Sequence, residues 1–230
     1  VNFAPQEILP VAIQVLVAVF SVIVHENAHG IVAERFGDPT ARDMGRITMN
    51  PLPHIDPIGT VVMPLLMIFT QTPLLAWAKP VPVNAANLRN PIVHDSYVAA
   101  AGPLSNLALA LGGTVLYTIV ALLFKHVPAL GESGGNSFLF FQILCTALIY
   151  INLALAIFNL LPIPPLDGHW ILFRFLPPRG AEMLASLRPY GFFILIGLLA
   201  TGILGRIISF PLSILGNGLI GVVRLAVTAL

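Results

Sequence analysis

Long apolar runs dominate this chain. Four stretches, residues 8–36, 97–124, 138–161 and 190–210, are mostly apolar and reach the length of about 20 residues that a helix needs to cross hydrocarbon. The first carries a short polar cluster, His25, Glu26, Asn27 and His29. Two further runs are ambiguous. Residues 58–78 hold Pro64 and Pro73, and residues 212–230 carry Asn217 and Arg224, so the latter suits a short span or an interfacial helix. Residues 37–56 form an irregular stretch in which Arg46, Ile47, Thr48, Met49 and Asn50 alternate polar and apolar between Gly45 and Pro51. Period two predicts a strand. The prolines of residues 79–84 exclude helix there, and the proline-rich 162–168 segment ends the helix before it.

The predicted fold is an all-α polytopic membrane protein of four to six transmembrane helices, with a short membrane-associated β-hairpin and a re-entrant segment at 58–78. It reads as a single integral-membrane domain over residues 1–230, with its core at 8–176 and C-terminal helices at 188–230. Composition agrees. Hydrophobic residues make up 57% of the chain and charged residues only 9%, against about 25% charged in soluble domains. Lipid removes the need to hide that apolar surface, provided that backbone groups pair internally. The net charge of +1 says nothing about partners, and no basic stripe with interleaved aromatics points to nucleic acid, so no nucleic-acid partner is expected. A single cysteine, Cys145, rules out an internal disulfide.

The polar cluster spells H-E-x-x-H. Residues four apart share one face of a helix, so His25 and His29 can meet one metal ion. Zn²⁺ takes nitrogen and oxygen ligands, and a catalytic zinc leaves one position for water, whose pKa it lowers. Glu26 lies about 100° round the helix, near enough to take a proton from that water. A lone histidine in an apolar helix is ordinarily a packing residue. Two histidines and a glutamate in one turn are harder to dismiss, since each ionisable group at the bilayer centre costs at least about 2.5–3.5 kcal/mol. The candidate third ligand is Asp167, held in a turn by Pro164, Pro165 and Gly168. The same residue equally suits the cap of a short helix starting near His169.

With these motifs placed, the chain resembles the site-2 protease family in its compact form without PDZ or CBS domains. The resemblance rests on 25–29, on 159–168 (Asn-Leu-Leu-Pro-Ile-Pro-Pro-Leu-Asp-Gly), on 101–106 (Ala-Gly-Pro-Leu-Ser-Asn), on 50–60 and on 77–84. It implies one zinc per chain on His25, His29 and Asp167, with Glu26 as general base and acid. It also implies that Asn159 holds the substrate carbonyl or oxyanion. Interhelical glue is the plainer role for Asn159, and the one assigned to Asn152. His169 reads as a surface residue.

Ligands near the C-terminal ends of the first and third helices require these helices to run in the same direction. Residues 58–78 must then enter and leave on one side, placing the Asp38 and Lys79 loops together. Arg35, Arg42, Arg46, Lys79, Arg89, Arg174, Arg179 and Arg188 would share the cytoplasmic side, leaving Lys125 outside. The expected activity is intramembrane proteolysis in a bacterial or archaeal cell membrane, on transmembrane protein or peptide substrates taken from the lipid bilayer. A substrate helix must be unwound before cleavage. The strand at Ile47, Thr48, Met49 and Asn50 would pair with the unwound chain or else close a structural hairpin, and Asn50 and His54 would line the site, although His54 equally suits an ordinary loop residue. A homo-oligomer is compatible with the sequence. The alternatives are a membrane metal transporter or sensor, or a catalytically inactive substrate-binding homologue.

Overall fold

The computed structural model describes residues 5–63, 65–66, 77–127 and 135–229. Its main helices are α1 (Pro5–Arg35), α2 (Thr40–Asp43), α3 (Pro91–His126), α4 (Gly135–Asn159), α5 (Asp167–Phe173), α6 (Pro178–Ser186), α7 (Gly191–Ala200) and α8 (Ile203–Ala229). Among the described residues, five helical runs are able by length and composition to cross a bilayer: Ile8–Arg35, Pro91–His126, Ser137–Asn159, Pro178–Ala200 and Ile203–Ala229. The protein is an integral membrane protein. Its exterior fits that solvent: Leu16, Ile92, Phe193, Phe210 and Leu225 each expose 70% or more of their surface. Such a belt would be an aggregation liability in water.

Pairings along the helices fix their directions. His29 meets Val98, and Ser21 meets Asn106, so α1 and α3 are antiparallel. Asn106 meets Asn152, and Phe124 meets Phe138, so α3 and α4 are antiparallel too. Hence α1 and α4 run in parallel, as ligands at their C-terminal ends require. Tyr150 bonds Asn217 on α8 while Lys125 Nζ donates to Val227 O. Helix α8 therefore runs with α3 and starts at the ligand-bearing end.

That start corrects the expected fourth helix. Residues 190–210 are not one rod. Helix α7 ends at Ala200, Gly202 adopts φ +71°, and α8 continues to Ala229 through Pro211. A left-handed φ is open to glycine and ends a helix there. Ten residues of α7 rise only about 15 Å, half of the hydrocarbon thickness. Residues 212–229, read as a separate segment, belong to the 27-residue α8.

The strand expected at Arg46–Asn50 is also absent; no strand occurs among the described residues. Residues 47–49 form a bend instead. The Asn27 side chain grips both backbone groups of Thr48, donating from Nδ2 to its carbonyl at 2.9 Å and accepting its N–H at Oδ1 at 2.9 Å. A side-chain amide takes the place of a partner strand.

Most of the apolar stretch 58–78 lies outside the described residues. Its two ends are joined: Trp77 N–H donates to Gly59 O at 3.2 Å, the Thr60 hydroxyl to Trp77 O at 2.9 Å, and Lys79 N–H to His54 O at 2.9 Å. The Asp38 and Lys79 loops sit together, as the parity of the helices demands. Buried Asp38 accepts Asn84 N–H at 2.7 Å and Asn87 Nδ2 at 2.9 Å, along with the Thr40 hydroxyl. Arg46 Nη2 donates to Lys79 O at 2.9 Å and Pro80 O at 3.1 Å.

Candidate metal centre

On α1 the two imidazoles lie one turn apart, with Nε2 atoms 3.0 Å from each other. Asp167 opens α5, and its Oδ2 lies 3.2 Å from His25 Nε2 and 3.4 Å from His29 Nε2. The capping alternative for Asp167 does not hold: the residue at the cap position is Leu166, and no side chain caps this helix. Gly168 explains how α5 comes so near the end of α4, because a Cβ there would overlap the carbonyls of Leu160 and Leu161.

The protonation pattern favours a cation among these three atoms. His29 Nδ1–H donates to Val98 O at 2.7 Å, and His25 Nδ1–H donates to Asn106 Oδ1 at 2.7 Å. With Nδ1 as the donor, each ring in its neutral form presents a bare lone pair at Nε2. Asp167 Oδ2 is buried and has no hydrogen-bond partner among the described residues. Three electron-rich atoms within 4.8 Å of one another repel unless a cation lies between them. Two nitrogens and one carboxylate oxygen with their outer ring atoms bonded suit a catalytic zinc.

These groups line a cavity of about 420 Å³, together with Glu26, Asp95, Asn159 and Trp170. Glu26 Oε2 accepts the Val81 N–H at 2.7 Å, so the proline-rich 79–84 segment aims the carboxylate. Its Oε1 has no partner among the described residues. Asn159 lines the cavity, but its Nδ2 donates back to Leu155 O at 3.0 Å.

Ile47, Thr48, Met49, Asn50 and His54 do not line this cavity. Asn50 shapes a turn, accepting Leu52 N–H and donating its own N–H to the Thr48 hydroxyl. His54 is buried and bonds Thr48 O through Nε2 at 3.1 Å. His169 is likewise buried, not on the surface as the sequence suggested. Its Nδ1–H donates to Leu166 O, and its ring packs against Trp170.

Sequence reasoning missed Asn27, Val81, Asp95 and Asn106. It also gave no role to Gly102, where a Cβ would overlap both imidazoles. The signal for Gly102 and Asn106 was present, since both fall in the 101–106 motif, but nothing local says what they touch.

The profile described as Peptidase family M50 matches residues 13–199. "Putative zinc metalloprotease YwhC" of Bacillus subtilis is 35% identical over 210 residues, covering 91% of this chain and 89% of the relative. "Putative zinc metalloprotease Rip2" of Mycolicibacterium smegmatis is 32% identical over 189 residues, 81% of this chain and 66% of that protein. "Putative zinc metalloprotease MJ0611" of Methanocaldococcus jannaschii is 41% identical over 79 residues, 34% of each chain. No solved structure matches the chain.

Proposed function

The chain belongs to peptidase family M50, the site-2 protease family, and from that membership we propose an intramembrane zinc metalloendopeptidase that cuts in or next to transmembrane segments of other proteins. One observation carries the reading: His25 Nε2, His29 Nε2 and Asp167 Oδ2 converge at the end of two parallel spans, beside Glu26 in one cavity.

One zinc ion per chain would be held by His25, His29 and Asp167. Zinc, when bound, supplies Lewis acidity toward a carbonyl oxygen and makes a water acidic near neutral pH. Glu26 takes the proton of the attacking water at Oε1, the oxygen that the Val81 N–H leaves free, and delivers it to the leaving nitrogen as the C–N bond breaks. Asn159 turns its amide from Leu155 O toward the substrate oxygen and donates to the charge that develops there. The unwound substrate lies along the 46–50 bend. There Asn27 occupies the backbone groups of Thr48, while those of Ile47 and Met49 have no partner among the described residues; Asn50 and His54 act by shaping the bend. The bonds that join residues 54–60 to 77–79 support the reading that the 58–78 stretch begins and ends on one side. The arginines and Lys79 near the ligand end support a cytoplasmic orientation for it.

The test is Glu26→Gln in the purified protein, with a transmembrane peptide as substrate. Zinc content is expected to stay at one per chain while cleavage falls by about 10²–10⁴ or more. Unchanged cleavage removes the protease mechanism. A metal transporter has no need of Glu26, and an inactive homologue cuts nothing in either form.

A further inference from the structure

We propose that Asn106 is a positioning residue that selects the metal-binding tautomer of His25, and that Asn152 fixes Asn106 for this task. The inference rests on the metal-site reading above and assigns the site a control that lies on two other helices.

The polarity of the chain of bonds starts at a backbone carbonyl. Leu148 O only accepts, so Asn152 must turn its Nδ2 toward it, at 2.9 Å. This leaves Asn152 Oδ1 facing α3, where it accepts from Asn106 Nδ2 at 2.9 Å. Asn106 Nδ2 also reaches Ser21 O at 3.4 Å, another group that only accepts. Asn106 Oδ1 is thereby aimed at His25, and at 2.7 Å it takes the Nδ1–H. A neutral imidazole with its proton on Nδ1 presents a lone pair at Nε2. Every link is dry: Asn106 and Asn152 are fully buried, and His25 is 7% exposed.

Reversing either amide would set N–H against N–H or oxygen against oxygen with no water to compensate. The direction is therefore determined, not merely allowed. His29 differs, because its Nδ1–H is held by Val98 O, a main-chain carbonyl that no side-chain substitution removes. An imidazole in water carries its proton mainly on Nε2, which would block the lone pair. Asn106 reverses that preference at the one ligand whose partner is a side chain.

The experiment uses the full chain in detergent, labelled with ¹⁵N-histidine, with zinc affinity measured by chelator competition. The variants are Asn106→Leu, Asn106→Asp and Asn152→Leu. In metal-free wild type, His25 is expected as the Nδ1–H tautomer. Asn106→Leu moves the proton to Nε2 and weakens zinc binding by about 10–100-fold, the range for lost outer partners of zinc ligands. Asn106→Asp keeps the acceptor and holds affinity within roughly threefold of wild type or above it. Asn152→Leu gives a mixture of tautomers and an intermediate affinity.

If Asn106 were only interhelical glue, the order would invert. Asp cannot donate to Asn152 Oδ1, so Asn106→Asp would be as damaging as Asn106→Leu, and neither would move the tautomer. Either that result or unchanged affinity and tautomer in Asn106→Leu overturns the proposal. Should Asn106→Leu fail to fold, Asn106→Asp decides, since retained affinity supports the relay and loss of it does not. A wild-type chain that takes up no zinc would instead remove the underlying reading of the site.

Discussion

Gly102→Ala asks the sharpest question of this site. A Cβ at residue 102 would come within 2.5 Å of His25 Cε1 and Nε2 and would overlap His29 Nε2. Carbon contacts are favourable near 3.5–4.0 Å, so something must yield by roughly 1 Å. The rings have little room to give, because both are pinned by Nδ1–H bonds of 2.7 Å. A zinc site tolerates errors of only about 0.2 Å in ligand distance. The overpacking itself costs about 1–3 kcal/mol, partly offset by the gain of about 1 kcal/mol for Ala over Gly in a helix. The expected protein is helical and near wild type in metal-free stability, yet has lost at least about 100-fold in zinc affinity, more than the removal of an outer partner produces. Gly112, on the same helix, has nothing within 4 Å of its built Cβ, so Gly112→Ala is the control and should be neutral or slightly stabilising. The assay is metal analysis with thermal unfolding in detergent, with and without chelator. Wild type and Gly112→Ala lose stability on chelation, and Gly102→Ala does not. Full zinc occupancy at wild-type affinity in Gly102→Ala would refute the claim that α3 is pressed against the imidazoles.

Two further outcomes concern the loops beside the site. Burial alone would push the Asp38 carboxyl up, but the Thr40 hydroxyl, the Asn87 amide, and the N–H groups of Asn84 and Thr40 hold it below its ordinary value of 3.8. A lowered folded pKa means that its contribution is fully present above the ordinary value and fades as pH falls through the folded one. Proteolytic nicking of the 37–46 and 79–90 loops should thus stay low down to about pH 4 and rise only below it, whereas Asp38→Ala should be nicked at neutral pH. Asn27→Ala deletes two bonds to the Thr48 backbone, each worth about 1 kcal/mol. Amide exchange at residues 46–50 should accelerate by roughly 30-fold, and equal rates would show that the bend holds itself.

How much was legible in the sequence follows from the range of each interaction. His25, Glu26 and His29 share one helical turn, so spacing alone placed the two imidazoles on one face with the carboxylate beside them. The long apolar runs identified the bilayer as solvent, because hydrophobic length is a property of consecutive residues. The parallel course of α1 and α4 followed from where the ligands had to meet, and the pairings along the helices agree with it. The strand at 46–50 failed because alternation reports what the backbone prefers and not who its partner is. That partner was Asn27, 21 residues earlier. The break at Gly202 was missed because an apolar run hides a single left-handed residue.

The sequence by itself therefore determined the solvent, the helical class and the chemistry of the H-E-x-x-H turn, all of which depend on neighbours within a few residues. Only the tertiary structure decided what surrounds that turn. Asp167 meets the histidines from more than 130 residues away, Val81 reaches Glu26 across 55, and Asn106 reaches His25 across 81. Such contacts exist only once α1, α3 and α4 have packed, because packing sets which buried donor meets which acceptor, and no local pattern encodes that pairing.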